Sequence, residues 1–268
     1  QIGAEIFGNA SIDADIEVVC LMLETLHRVP LQQVSIDLGH VGIFRALARA
    51  AGLNEVQEAE LFEALQRKAS TEIDTLVGGL GLDGSLSGML IALAELNGDA
   101  EVLQRARLVL ADAPAEVAAA IDYVEAVAEQ LSQELPDLPV HFDLAELRAY
   151  HYQTGVVFAA FVPGEGQEVA RGGRYDKIGE VFGRARPATG FSADLNQWVR
   201  LSGISTTAYA PGILAPWSND ATLQDKIDEL RQQGERVIQE LPDVEGEQLH
   251  GCDRRLVRQS NQWEVISI

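Results

Sequence analysis

Within residues 13–28, apolar side chains recur at Ile16, Val19, Cys20, Leu23 and Leu26, the spacing of a helix with one buried stripe. Asp13 and Asp15 suit its N-terminal end, where the helix dipole favours negative charge, and Pro30 lies just past its far end. Val34, Ile36 and Leu38 alternate with polar neighbours, which predicts a strand over 33–38 that Gly39 ends before a helix through Phe44, Leu47 and Ala48. Asn54 and Gln57 form a capping-box pattern opening a helix to Lys68. Residues 71–135 are helical in pattern and rich in Ala, Leu and Glu, with Pro114 in the first turn of a long helix ending near Pro136. The glycines between Gly78 and Gly84 read as a bend between helices, because no clear strand precedes them and no Lys follows.

From residue 140 the pattern changes to strand chemistry. Val156, Val157, Phe158, Phe161 and Val162 lead to the turn Pro163-Gly164-Glu165-Gly166 and a returning strand. Residues 175–182 look helical, 189–191 extended and 195–201 helical again. Gly203, Ser205, Thr206 and Thr207 mark a linker. Beyond it come a strand near 212–216, a helix over 222–233 closed by Gly234, a strand over 237–241, and a hairpin around Ser260-Asn261. The chain therefore reads as α+β, with a core over 1–202 that includes a helical insertion at about 71–135, and a small β-α-β-β unit over 208–268.

Composition narrows the function. The 268 residues suffice for a full core, and 47% hydrophobic with 23% charged residues is ordinary for a globular chain. The formal net charge of −21 is not ordinary: so acidic a surface repels phosphate backbones and argues against nucleic acid as a substrate. Cys20 and Cys252 are far apart and form no C-x-x-C, so neither a zinc site nor a disulfide framework is expected, and a reducing cytoplasm fits. Cys20 reads as a core residue. No apolar run approaches the ~20 residues of a membrane span, and no signal peptide is read.

Candidate chemistry concentrates in the run Arg171-Gly172-Gly173-Arg174-Tyr175-Asp176, followed by Pro187-Ala188-Thr189-Gly190-Phe191-Ser192. Paired glycines at the end of an apolar strand let the backbone approach a small molecule closely, with both signs of charge and a phenol beside them. This stretch resembles the amino-acid pocket and motif 3 of histidyl-tRNA synthetases. Arg148-Ala149-Tyr150-His151-Tyr152-Gln153-Thr154-Gly155-Val156-Val157-Phe158 is similar to their R-G-L-D-Y-Y-T-G-T-V-F signature, and Gln1-Ile2-Gly3-Ala4-Glu5-Ile6-Phe7-Gly8 to the Q-x-G-x-E-x-F-G that closes motif 2. The resemblance spans roughly residues 1–200 and implies a class II synthetase-like core, an antiparallel sheet with flanking helices. Because the chain opens inside a motif, an N-terminal portion is expected to be missing.

By the same resemblance, Gln1, Glu5, Arg148, Tyr152, Tyr175 and Arg174 are the candidate histidine-binding residues. Glu5 and Gln1 suit an ammonium, Arg148 a carboxylate or an imidazole-linked network, and the tyrosines a ring. Packing alone is an alternative for Tyr152, and His151 reads as hydrogen-bonded structure rather than a base. The departures are equally informative. Where the synthetases close motif 3 with G-F-A-x-G-L-E-R, this chain has Gly190-Phe191-Ser192-Ala193-Asp194-Leu195-Asn196-Gln197. Gln197 lacks the fixed charge that would hold a nucleotide, and the Asp194 carboxylate opposes phosphate. Two positions of the tyrosine block hold His151 and Gln153.

These features together resemble the family of ATP phosphoribosyltransferase regulatory subunits, of the first step of histidine biosynthesis. That resemblance implies a non-catalytic, cytoplasmic protein with no cofactor. Its partners would be a short-form catalytic subunit in a hetero-oligomer, further copies of itself, and free histidine as ligand, with no nucleic acid and no membrane. A histidyl-tRNA synthetase core and a stand-alone histidine-sensing paralogue are the alternatives.

Overall fold

A computed structural model of the chain describes residues 1–31, 33–146, 152–179, 183–203, 211–242, 251–260 and 262–268. The chain divides into two compact units, Gln1–Gly203 and Ile204–Ile268.

The larger unit is built on a seven-stranded sheet. Its strands are β1 (Ile2–Phe7), β2 (Ser35–His40), β3 (Asn97–Gly98), β4 (Val140–Asp143), β5 (Val156–Phe161), β6 (Ala170–Arg174) and β7 (Ala188–Ala193), in the spatial order β1-β7-β6-β5-β2-β4-β3. Neighbours run antiparallel except β2 and β4. Helix α1 (Ile12–His27) lies across β1, β5, β6 and β7, and α7 (Ala115–Glu134) across β2 and β5, where it also packs on α1 and α2 (Val41–Ala50). Val18, Val19, Met22, Leu23 and Leu26 of α1 are buried, each contributing about 1.5–3 kcal/mol by leaving water. The segment between β2 and β4 also holds α3 (Glu55–Gln66), α4 (Ser70–Gly79), α5 (Gly84–Ala92) and α6 (Glu101–Val109).

Local rules set the boundaries. The expected capping box is present, with Asn54 accepting from the Gln57 backbone while Gln57 accepts from the Asn54 backbone. The glycine bend joins α4 to α5, whose N-terminus Asp83 caps through Leu86 N. Strand β2 differs from expectation: Gly39 continues it, paired with Val157, and His40 ends it by capping α2, its Nδ1 accepting from Gly42 N at 3.0 Å. Cross-strand pairing to β5 overrides the breaker tendency of an isolated glycine. Asp13 and Asp15 stand in the first turn of α1, as expected. Asp15 is in addition fully buried and paired with Arg174 at 3.0 Å. Helix α8 (Leu195–Leu201) is anchored by buried Trp198, whose Nε1 donates to Val169 O at 2.6 Å.

The smaller unit contains β8 (Gly212–Ala215), α9 (Ala221–Gln232), β9 (Val237–Gln239), β10 (Cys252–Gln259) and β11 (Gln262–Ser267). The sheet order is β11-β10-β8-β9, with β8 parallel to both neighbours and β10-β11 an antiparallel hairpin. Its succession is thus β-α-β-β-β: the strand, helix, strand and hairpin expected are all present, and the label β-α-β-β is one short because each arm of the hairpin is a strand of the sheet. Ile213, Ala215, Leu223, Ile227 and Leu256 form its own core. The linker reading at residues 205–207 lies outside the described residues. No described helix is long and apolar enough to cross a membrane.

Candidate functional site

Strand alternation divides β1 sharply: Ile2, Ala4 and Ile6 pack on the helix-covered core, so Gln1, Gly3 and Glu5 face the other side. Register carries this open face across the sheet, pairing Glu5 with Gly190, Gly190 with Gly173 and Gly173 with Val157. The floor is glycine because side chains lean over it. A Cβ at Gly190 would sit 2.7 Å from Glu5 Cγ, 2.8 Å from Ala4 O and 3.0 Å from the Tyr175 hydroxyl.

The Gly172-Gly173 pair serves two sides rather than one. A Cβ at Gly172 would strike the Phe158 ring at 2.5 Å, so this glycine makes room for a core aromatic. One at Gly173 would meet Gln153 Oε1 at 2.7 Å, on the open face. Gly172 also lines the cavity described next, so its missing side chain both makes room for Phe158 and leaves backbone open to that space.

Above this floor lies a cavity of 270 Å3, near the lower end of the ~300–1,000 Å3 typical of small-molecule pockets. Gln1, Glu5, Tyr152 and Tyr175 all line it, so four of the six sequence candidates converge. The Tyr152 and Tyr175 rings lie 4.6 Å apart at 32°, and Phe7 meets Tyr175 edge-on at 6.4 Å. The Tyr175 hydroxyl is buried without a well-formed hydrogen bond among the described residues, although Glu5 and Tyr152 stand beside it. Burial first, then the Glu5 carboxylate, pushes its pKa far above the ordinary phenol value, and the same two causes raise Tyr152. Both phenols therefore stay neutral and keep a proton to donate.

Four further polar residues line the cavity and were not among the candidates: Glu146, Gln153, Arg171 and Ser192. Glu146 and Gln153 are each only 7% exposed, and Arg171 is paired with Glu168 at 2.9 Å. Gln153 could have been flagged by its place in the tyrosine block; Glu146, outside any quoted motif, carried no signal.

Arg174 does not belong to this cavity. One residue from Tyr175, it points to the opposite side of the sheet, where it is 6% exposed and surrounded by acceptors. Its guanidinium pairs with Asp15 at 3.0 Å and Asp176 at 3.2 Å, and donates to Asn9 O and Ser11 O at 3.1 Å each. Tyr123 of α7 donates to the same Asp15 at 2.5 Å. The charge is spent on tying β6 to α1, so Arg174 is a structural residue. Arg148 and His151 lie outside the described residues.

A second cleft of 460 Å3 adjoins the first and shares Gln1, Arg171 and Ser192 with it. The two departures from motif 3 line this cleft. Asp194 caps α8, accepting from Asn196 N at 2.9 Å, and Gln197 Nε2 donates to Glu168 O at 3.3 Å. Arg171 is the only cation among the described lining residues, and Glu168 engages it. Nothing described there offers a phosphate an uncommitted positive charge.

The histidyl-tRNA synthetase family model matches residues 1–198, which makes the larger unit a class II synthetase-like core. The model for the ATP phosphoribosyltransferase subunit HisZ C-terminal domain matches residues 210–266. An ATP phosphoribosyltransferase regulatory subunit of Azotobacter vinelandii is 52% identical over 270 residues, covering all of this chain and 68% of that protein. A solved ATP phosphoribosyltransferase regulatory subunit/histidyl-tRNA synthetase from Bacillus halodurans superposes with a TM-score of 0.68 at 27% identity, over 91% of this chain and 63% of the other. The fold also recurs in an ATP phosphoribosyl transferase (HisG:HisZ) complex from Thermotoga maritima, with a TM-score of 0.56 at 19% identity, over 71% of this chain and 64% of that one. The chain belongs to the family of ATP phosphoribosyltransferase regulatory subunits.

Proposed function

We propose that this chain is the non-catalytic half of an ATP phosphoribosyltransferase, joining a short-form catalytic subunit, raising its activity and conveying feedback inhibition by histidine. The observation that carries the reading is the contrast between two adjoining spaces. The amino-acid cavity keeps Gln1, Glu5, Tyr152 and Tyr175 around a glycine floor, while the neighbouring cleft has Asp194 and Gln197 committed to helix capping and backbone contact. A synthetase needs both spaces: it must hold histidine and, beside it, the phosphates of ATP. This chain retains the first and lacks described groups for the second.

Histidine is the ligand proposed for the cavity. Glu5 and the two neutral phenols provide acceptors and donors for a polar ring, and the small volume suits an amino acid better than a nucleotide. Feedback then requires that histidine favour the inhibited assembly, since a ligand with equal affinity for both states shifts nothing.

The test uses the whole protein with and without its catalytic partner. Calorimetry should show saturable histidine binding that Glu5→Ala removes. The two subunits should co-elute, and histidine-dependent ATP–pyrophosphate exchange should be absent. Exchange activity at synthetase-like rates would overturn the proposal, and failure to co-elute would leave a stand-alone histidine sensor.

A further inference from the structure

The Gln153 side chain is more than nine-tenths buried and lines the amino-acid cavity, yet its Oε1 has no hydrogen-bond partner among the described residues. Buried amide oxygens are nearly always satisfied, so an orphan at the wall of a cavity calls for a donor from outside the protein. The residue is held for that purpose. Its own carbonyl accepts from Arg45 Nη2 of α2 at 3.0 Å. The next residue, Thr154, donates its backbone N–H to Arg174 O at 2.7 Å and accepts from Asp176 N through Oγ1 at 2.9 Å. These bonds fix Gln153 and Thr154 to α2 and to the end of β6. The amide then leans over Gly173, next in register to Gly190, over which Glu5 and the Tyr175 hydroxyl converge.

We infer that Gln153 is a specificity-determining residue of the cavity, its Oε1 accepting a hydrogen bond from a ring N–H of the bound ligand. The inference rests on histidine being that ligand, and adds which group reads the ring. The described wall includes acceptors at Glu5, Glu146 and Gln153 and donors at Tyr152, Tyr175 and Arg171. A heteroaromatic ring with N–H groups satisfies such a set, whereas a purely hydrocarbon ring would leave Oε1 orphaned. Sites built to bond an N–H reject analogues lacking it more strongly than apolar pockets reject size changes, because the buried group stays unpaired.

Calorimetry on the whole protein with three probes tests this: histidine and its two ring-N-methylated isomers. The wild type should bind histidine and disfavour one methyl isomer far more than the other. Gln153→Leu should weaken histidine about tenfold and lose most of that discrimination, since the lost bond is a neutral one. Gln153→Glu, which keeps an acceptor in the same place, should retain both histidine binding and the discrimination. Thermal melting confirms that each variant folds, and the Glu variant still tests the idea if the Leu variant does not. If Gln153→Leu folds and binds all three probes as the wild type does, a bound water satisfies Oε1 and the inference fails. If the wild type binds no histidine, the reading of the site itself fails, a separate and recognisable outcome.

Discussion

Replacing Arg174 by Met separates a scaffold residue from a ligand contact. The side chain is 6% exposed and its partner Asp15 is completely buried. Arg174→Met preserves an unbranched apolar stem but leaves Asp15 a buried carboxylate whose remaining described side-chain donor is Tyr123. Breaking a buried pair from one side costs about 3–5 kcal/mol, because the surviving charge is uncompensated. Against a domain stability of about 5–15 kcal/mol this is a large fraction. At about 2–4 °C per kcal/mol for a unit of this size, melting should fall by roughly 6–20 °C. Adding Asp15→Asn removes the stranded charge while keeping an acceptor for Tyr123, so the double variant should recover much of the loss. Urea denaturation gives the free energies, and calorimetry below the transition gives histidine affinity, expected to change little because the guanidinium faces away from the cavity. A variant that loses histidine binding while losing less than about 1 kcal/mol of stability would refute this placement.

Three more outcomes follow. His40, desolvated and then opposed by Arg45, has its pKa lowered from 6.5 to about 4. The unfolded chain binds the proton more readily, so stability is full above 6.5 and falls by about 3 kcal/mol as pH drops to about 4. Denaturation series across that range should show the slope, flattened in His40→Asn. Gly190→Ala puts a methyl 2.7 Å from Glu5 Cγ and 2.8 Å from Ala4 O. It should abolish histidine binding at a stability cost of about 1–3 kcal/mol, and unchanged affinity by calorimetry would move the ligand elsewhere. Gln197→Arg alone should yield no ATP–pyrophosphate exchange, since Asp194 still borders the cleft and Arg171 is already engaged.

Much of the fold was legible because its signals are local. The stripe of α1, the Asn54 capping box and the hairpin at Ser260-Asn261 each depend on residues within a few positions of one another. What failed was long-range. Gly39 looked like a breaker until pairing with Val157 kept it in β2, and the first-turn position of Asp15 gave no sign of its pairing with Arg174, far along the chain. In the site, Gln1, Glu5, Tyr152 and Tyr175 were found from motif position, and the same reasoning misplaced Arg174. A motif records neighbours in sequence, whereas a strand sends neighbours to opposite faces; counting alternate positions back from Tyr175 puts Gly173, not Arg174, on its side. Glu146 was invisible because nothing in its sequence surroundings points at the cavity.

The way Asp194, Gln197, Glu168 and Arg171 are engaged has a consequence for redesign. Asp194 holds the start of α8, Gln197 grips a main-chain carbonyl, and Glu168 occupies the cation a nucleotide would want. Building a phosphate site into this cleft would mean changing several of these positions, and the first changes cost contacts before any is gained. Removing the Asp194 carboxylate uncaps a helix, about 1 kcal/mol, before any phosphate is gained. Freeing Arg171, whose side chain is already exposed, gives up an ion pair worth at most about 1 kcal/mol. Each of these side chains already has a structural duty, so the fold's own stability opposes refitting the cleft for a nucleotide.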